Sequence, residues 1–430
     1  DGKFELTVPQ EPPFTLTVSY MGYVTQEFVV ENPQDKLKFK LPAETVMLGD
    51  VKVQAKGLTE RQKKSPLTIE SMNIAAIKAT PSADFYEGLG HLKGVDLTSA
   101  SIGFKVINTR GFNSTSPVRS LQIIDGVDNQ SPGLNFSLGN FLGASELDVL
   151  NVDLIVGASS AFYGPNAFNG VISMTTKNPF VHPGLSVQTK VGERGLFENA
   201  IRWAQVFKNK DGKDKFAYKF NLYWLRVNDW VADNMDPTDQ SLVGSDNYGR
   251  YDAVNRYGDE EFFNFGQGSG VLKTPGLGRY YRDGYSENVI VDYNTRNIKL
   301  GTALHYKLKP DVELIYASNF GTGTTVYQGD NRYSLKDILF FQNRLEIKKE
   351  DKYFIRAYAT HEDAGKSYDA VFTAFLLQDA AKDNIPDLNK IYHWSTDYRT
   401  YWTQNILPKI NSLPGYPDML LIDCLFEQLK

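Results

Sequence analysis

One cysteine, Cys424, serves the whole 430-residue chain, so neither a disulfide framework nor a thiolate metal site can be assembled within it. Histidine is almost as scarce. Of the five, His91, His182, His305, His361 and His393, none belongs to an H-E-x-x-H pattern, and His361-Glu362 lacks the second histidine at helical spacing. No metal and no cofactor are expected. An excess of positive charge is missing too: 46 Lys and Arg stand against 51 Asp and Glu, a formal net charge of −5, which leaves no basic field to gather nucleic acid. No window approaches 18 uninterrupted apolar residues, which excludes a transmembrane helix but not a transmembrane β-barrel, whose strands alternate. Nor is there a G-x-S-x-G elbow to anchor a serine hydrolase. Catalysis has no support.

What the chain does have is glycine (35), phenylalanine (26) and tyrosine (24), a mixture suited to many strands joined by turns. Residues 1–6 already read as a turn entering a strand, with neither a basic nor an apolar leader, so the chain is expected to begin inside a domain. "GKFELTV", "FTLTVSYMGYVTQEFVV" and "KLKFKL" alternate apolar with polar residues, as three or more strands of a small β-sandwich would. The short β-prone stretch "ETVMLGDVKVQAKG" and the charged "TERQKKSPLTIESMNIAAIKA" follow as a linker into a mixed α/β region. In that region "SADFYEGLGHL" reads as a short helix capped by Ser82, "SLQIIDGVDNQ" as a hairpin turning at Asp125-Gly126, and "ELDVLNVDLIVGAS" and "GVISMTTK" as strands. Beyond Pro179 the alternation lengthens. Phe216, Tyr218, Phe220, Leu222 and Trp224 share one face of a strand and Lys219, Asn221 and Tyr223 the other, while Ile298, Leu300, Leu304, Tyr306 and Leu308 oppose Lys299, His305 and Lys307. Strands of about ten residues, tight turns on one side and a long polar insert on the other suit an outer-membrane barrel. A soluble sandwich would alternate in the same way.

The stretch "AFYGPNAFNGVISMTTKNP" at 161–179 has the glycines of a phosphate loop but neither its lysine nor its hydroxyl, and it opens a strand where a dinucleotide turn opens a helix. It therefore reads as a turn that returns the chain into a sheet. Asp233, Asp236, Asp239 and Asp246 in the insert lack EF-hand spacing and read as a solvated loop. The same insert interleaves charge with Trp230, Tyr248, Tyr251, Tyr257, Phe262, Phe263, Tyr280, Tyr281 and Tyr285, rings that either stack on a ligand or pack loop on loop.

Three motifs in order, "INTRGFN" (107–113), "LQIIDGV" (121–127) and "LNVDLIVGASSAFYGPNAFNGVISMTTKNP" (150–179), make the chain resemble a TonB-dependent outer-membrane receptor with an N-terminal extension. The usual Gly-Pro of the last motif is Gly157-Ala158 here. The resemblance implies a mainly β protein: a carboxypeptidase-D regulatory-like β-sandwich at 1–43, a coupling segment at 44–57, a mixed α/β plug domain at 58–179, and the N-terminal part of a transmembrane antiparallel β-barrel at 180–430, from a barrel of about 22 strands. Eight to ten strands after Pro179 would leave open edges, so a longer chain is expected; "LPGYPDMLLIDCLFEQLK" at the end shows little barrel alternation.

By the same resemblance the protein imports a bulky, scarce nutrient, with its N-terminal domain in the periplasm of a Gram-negative cell. Energy comes from a TonB-type inner-membrane protein that pairs with Leu48, Asp50, Val51, Lys52 and Val53, where free backbone and alternating side chains suit strand addition. The ligand, an iron or other metal chelate, glycan or peptide, is expected at Asn113, Ser114, Asn129, Gln130 and Asn135 on the plug and at Tyr280 and Tyr281 on the insert. Structural roles fall to Arg110 and Gly111, Asp125 and Gly126, Gly157, Tyr163 and Gly164, and Gly170, with Arg110 expected to ion-pair. Outer-membrane lipid is a partner, as is an extracellular lipoprotein lid in the glycan- and peptide-importing branch. The alternative is a binding or scaffold component of a surface assembly that transports nothing itself.

Overall fold

The computed structural model describes residues 13–18, 26–30, 68–80, 84–241, 251–258, 263–264, 277, 279–280, 282–349, 352–380 and 393–413. Leu48, Asp50, Val51, Lys52 and Val53, together with Ser82, Asp246, Tyr281 and Cys424, lie outside them. The chain divides into Asp1–Lys56 and Gly57–Lys430.

In the first unit β1 (Phe14–Val18) pairs antiparallel with β2 (Gln26–Val30), Phe14 opposite Val30 and Leu16 opposite Phe28. These four apolar residues therefore share one face of the ribbon, with Val29 exposed on the other.

The second unit opens with β3 (Thr68–Asn73). Asn73 caps the helix Ile74–Ala79 by accepting hydrogen bonds from the Ala75 and Ala76 amides. The next helix, Phe85–Gly88, starts one residue after the expected "SAD" entry: its cap is Asp84, which accepts from the Glu87 amide, and not Ser82. Asp at the cap with Glu at the third helical position satisfies the first turn better than a serine two residues upstream. The hairpin β4 (Val95–Ser99) and β5 (Lys105–Thr109) follows. Next come β6 (Leu121–Ile124), β7 (Val127–Asp128), β8 (Gln130–Ser131), β9 (Phe136–Ser137), β10 (Val149–Val156) and β11 (Val171–Thr176). A five-stranded mixed sheet runs in the order β3-β10-β11-β6-β7, with β11 parallel to β6 and the other pairs antiparallel. Its core joins Met72, Ile77, Phe85, Leu89, Val152, Leu154 and Met174, all buried. This is the plug.

Seven long strands form an antiparallel wall in chain order: β12 (Gly184–Val191), β13 (Phe197–Lys208), β14 (Asp214–Asn228), then, after short pairs in the insert, β19 (Asn294–Lys309), β20 (Val312–Gln328), β21 (Arg332–Lys349) and β22 (Tyr353–Asp363). The insert holds β15 (Arg256–Tyr257) paired with β18 (Tyr285–Ser286), and β16 (Phe263–Asn264) paired with β17 (Arg279–Tyr280). A two-residue β23 (Tyr368–Asp369) pairs with β21 and leads into the helix Ala370–Ala380; helical turns also span 393–411. Neither helical stretch is legible as barrel alternation.

The wall inverts the usual rule of burial. On β14 the buried positions are Ala217, Lys219, Asn221, Tyr223, Leu225 and Val227, while Phe220 and Trp224 are exposed. On β19 Asn297, Lys299 and His305 are buried and Ile298, Leu304, Tyr306 and Leu308 exposed. Leu185, Val187, Trp203, Tyr316, Leu345 and Ile355 continue the open apolar face. A water-soluble sandwich would bury the face that this wall exposes. Lipid outside and a polar lumen filled by the plug account for both faces. Alternation also fixes the ends: the long connection 229–293 lies on the same side as the turns 192–196 and 329–331, and the tight turns 209–213 and Pro310–Asp311 lie on the other, which makes the first side extracellular by the barrel pattern of short periplasmic turns and longer outer loops.

Candidate functional site

The plug meets the wall at two kinds of contact. Toward the outer side the join is apolar: Phe104, Phe136, Leu138, Phe141 and Leu142 of the plug pack with Tyr327, Leu335, Ile338 and Phe340 of the wall. Gly323 makes this approach possible, because a Cβ there would lie 2.6 Å from the Phe141 ring and closer still to the Arg296 carbonyl.

Toward the periplasmic side the join is ionic, and it starts from a local turn. Asp125 (φ 49°) and Gly126 (φ 77°) both hold positive φ between β6 and β7, as a type I′ hairpin requires. The turn points two carbonyls and one carboxylate at the wall. The Asp125 carboxylate accepts from the Thr176 amide (2.8 Å) and hydroxyl (2.7 Å), Arg344 donates to the Asp125 carbonyl (2.8 Å) and lies 3.3 Å from its carboxylate, and Arg356 donates to the Gly126 carbonyl (2.7 Å). Glu346 joins the two arginines, 3.5 Å from Arg344 and 2.7 Å from Arg356. On the far side of Thr176, Lys219 donates to the Thr176 hydroxyl, the Lys177 carbonyl and the Asp148 carboxylate (2.6 Å), which also takes Arg202 at 2.8 Å. Arg202, Asp148, Lys219, Thr176, Asp125, Arg344, Glu346 and Arg356 thus form one unbroken polar chain across four wall strands.

Electrostatics inside the plug follow. Burial alone would raise the Asp125 carboxyl, but Lys219 and Arg344, with the Thr176 hydrogen bonds, hold it below its ordinary range. Burial, reinforced by Arg202, brings the Lys177 ammonium down to about 8. Asp128, with less compensation, is raised by burial against the Gln130 amide bond.

Of the expected ligand residues, Asn113 and Ser114 stand together on the 111–118 loop, Asn113 exposed; the loop is tied to the outer wall by the Tyr327 hydroxyl donating to Ser116 Oγ (2.6 Å). Asn129 is buried and its amide donates to Gln122 Oε1 (2.9 Å) and the Leu142 carbonyl, so it braces the plug from within. Gln130 donates to Asn135 (2.6 Å), which sits at φ 59°. The strand pair carrying Tyr280 is separate from these loops in the sheet order.

Arg110 differs from expectation. It is exposed at φ 56°, donates to Thr68 Oγ1 (3.4 Å), and no ion pair involves it among the described residues. Its guanidinium lies over Gly157, where a Cβ would approach within 2.7 Å, so Gly157 is small because Arg110 covers it. Gly111 (φ 75°) follows it in the turn. Tyr163 ends a short helical turn that Gly164 (φ 87°) closes, and Gly170 (φ 121°) enters β11 with its Cα against the Ile155 carbonyl.

Sequence reasoning did not single out Asp148, Arg202, Arg344, Glu346 or Arg356. For the four wall residues the available signal was parity: Arg202, Arg344, Glu346 and Arg356 each fall on the inward face of their strand, whereas nothing in the sequence marked Asp148 of the plug. It also missed the outer brace, where the fully buried Glu287 accepts from the Tyr257 and Tyr293 hydroxyls (2.6 and 2.7 Å) and from Arg332 (2.8 Å). Beside it Asp229 accepts from the Ile102 amide (2.9 Å) and the Thr295 hydroxyl (2.7 Å). These bonds fix the insert to the wall and the β4–β5 tip to the insert.

Residues 61–171 match the family described as TonB-dependent Receptor Plug Domain. Among curated proteins, TonB-dependent receptor P26 of Formosa agariphila is 26% identical over 302 residues, 64% of this chain and 28% of the relative. TonB-dependent receptor P39 of the same organism is 28% identical over 189 residues, 41% of this chain and 16% of the relative. The chain therefore spans under a third of the length of these relatives. Among solved structures, the siderophore receptor PirA from Pseudomonas aeruginosa aligns at a TM-score of 0.39 and 14% identity over 70% of this chain and 43% of its own. A ferric enterobactin receptor (PfeA) variant from Pseudomonas aeruginosa aligns at 0.45 and 15% over 70% and 41%.

Proposed function

We propose that the chain is part of a TonB-dependent receptor of the Gram-negative outer membrane, a reading supported by its plug-domain match and its relatives, and that it takes part in energised import of a bulky, scarce solute. The observation that carries this reading is the inverted wall: apolar residues outward, charged and amide residues inward, and the inward face closed by a folded domain. A lumen closed by tens of hydrogen-bonded residues cannot pass a large solute by diffusion, and the outer membrane holds no potential of its own, so energy has to come from a partner. The segment containing Leu48, Asp50, Val51, Lys52 and Val53 suits strand addition to a TonB-type inner-membrane protein. Ligand capture falls to the outer loops of plug and wall, with Asn113 and Ser114 the plug's contribution. Deleting residues 48–55 from the receptor in whole cells is expected to abolish uptake while leaving surface binding of the solute intact. Uptake at the normal rate in that variant would overturn the reading.

A further inference from the structure

The ionic half of the seam encloses a cavity whose charges are sorted by side. Its acids, Asp125 and Asp148, both belong to the plug, and its bases, Lys219, Lys299 and Arg344, all belong to the wall, interspersed with the wall amides Asn221, Asn319 and Gln342. The sorting is not a matter of simple neutralisation. Lys219 and Arg344 each reach a plug carboxylate, at 2.6 and 3.3 Å, whereas Lys299, buried on β19, donates to the Asn140 carbonyl and lies 4.7 Å from the centre of the Tyr223 ring, with no carboxylate in ion-pair range among the described residues. Two buried lining atoms, Ser145 Oγ and Asn221 Oδ1, have no hydrogen-bond partner there, as befits a space that admits water. Outside the cavity two inward acids of the wall are held by wall bases, Glu346 between Arg344 and Arg356 and Glu198 with Lys190 at 3.2 Å, and a third, Glu362, accepts from the plug's Gly133 amide at 2.7 Å.

Any displacement of the plug from this stretch removes Asp125 and Asp148 together and leaves the wall bases behind. We infer that the passage opened between plug and wall is cationic and amide-lined, and that the solute it conducts is anionic, bearing carboxylate, sulfate or phosphate groups. Arg344 offers a planar fork for such groups, Lys219 and Lys299 supply charge in a space of low dielectric, and the three amides accommodate hydroxyls beside them. The closed plug mimics the cargo: its own carboxylates occupy the anion positions until it moves. This inference rests on the import reading, from which the test separates it.

The test places a thiol at Ala303, a small buried residue lining the cavity, in the complete receptor in living cells, with an exposed Gln240→Cys variant as reference. Each is labelled with an anionic methanethiosulfonate (the sulfonatoethyl reagent) and a cationic one (the trimethylammonium reagent), with the energy-coupling partner active and inactive. The expected result is an anionic-to-cationic rate ratio at Ala303→Cys several-fold above the reference, collapsing toward it when Lys299→Gln is added. A ratio at or below the reference, a ratio indifferent to Lys299→Gln, or no labelling at this position in any condition would overturn the inference. Labelling with the expected ratio but the same rate without the coupling partner would instead overturn energised import and leave the charge of the passage standing.

Discussion

At the scale of single residues, the Asp125-Gly126 turn does two jobs with one geometry. Positive φ at both positions closes the hairpin, and the same turn aims two carbonyls at Arg344 and Arg356. Gly126→Ala is therefore doubly unfavourable: it strains a φ of 77° and thrusts a methyl into the Arg356 guanidinium, for a loss of about 1–2 kcal/mol in plug stability, measurable as a lower thermal midpoint of the receptor in detergent. Asp125→Asn keeps the fold of the turn but loses the charge between Lys219 and Arg344, at about 1–3 kcal/mol. The sign of its pH dependence is fixed. A carboxyl held below its ordinary value stabilises the folded plug above about pH 4, the unfolded value, and that contribution is lost as pH falls through the lower folded value. Pepsin cleavage of the plug between about pH 4 and 2 should accelerate in the wild type and be already fast, with a flatter pH profile, in Asp125→Asn. Identical profiles would show that the Asp125 charge contributes nothing to the ionic chain. This turn was legible in the sequence because its chemistry is local, Asp-Gly between two apolar runs. Arg110 was legible as part of a motif but not in its contact, since the glycine it covers is 47 positions away in the chain and nothing nearby in sequence marks it. The role of Asn129 was hidden differently: its partners Gln122 and Leu142 lie only 7 and 13 positions away, but they are brought around it by the folded plug.

At the scale of elements, each wall strand is an argument about its two solvents. Alternation alone could not tell lipid from the core of a sandwich, because both give period two. The buried lysines and exposed tryptophans decide it, and burial is a property of neighbours. The outer face of β19 should tolerate no charge: Leu304→Arg is expected to cost about 2–4 kcal/mol if it falls near mid-membrane, read as failure to assemble into a heat-modifiable barrel in lipid, while Leu304→Phe should assemble normally. Equal assembly of the two would return the wall to an aqueous sandwich. The insert is an element of another kind, with the fully buried Glu287 carboxylate at the centre of its attachment. Glu287→Ala leaves Arg332 buried without its carboxylate and removes the acceptor of the Tyr257 and Tyr293 hydroxyls, a loss of about 3–5 kcal/mol by the standards of broken buried pairs. Hydrogen exchange should rise in residues 229–241 and 282–293 and, through Asp229 and the Ile102 amide, at the β4–β5 tip. Exchange confined to the insert would show that the two are held independently.

At the scale of the whole molecule, what matters is the order in which attachments fail when the plug is pulled. The plug is fastened to the wall by an apolar knot near the outer end and an ionic chain near the periplasmic end. Neither is the first to feel a force applied through the chain preceding Thr68. That force enters β3, which among the described residues is an edge strand with β10 as its one sheet neighbour, in antiparallel register from Thr68 opposite Val156 to Asn73 opposite Asn151. Thr68 lies at the end of the ladder, so a pull at an angle to the strand loads the pairs one after another, where a pull along the strand would load every bond at once, and the first is the easier way to detach an edge strand. Release of β3 exposes one side of β10, the strand that runs out of the turn holding Asp148, and so brings the load to the ionic chain before the apolar knot. Ser71 and Asp153 face each other across this ladder, in the pairing that a disulfide between neighbouring strands can span. The double variant Ser71→Cys/Asp153→Cys should bind its solute normally, fail to import it when oxidised, and regain import on reduction, while each single variant imports in both conditions. Import by the oxidised double variant at the reduced rate would mean that β3 stays on the sheet throughout transport, and that the force reaches the seam by some route other than this edge.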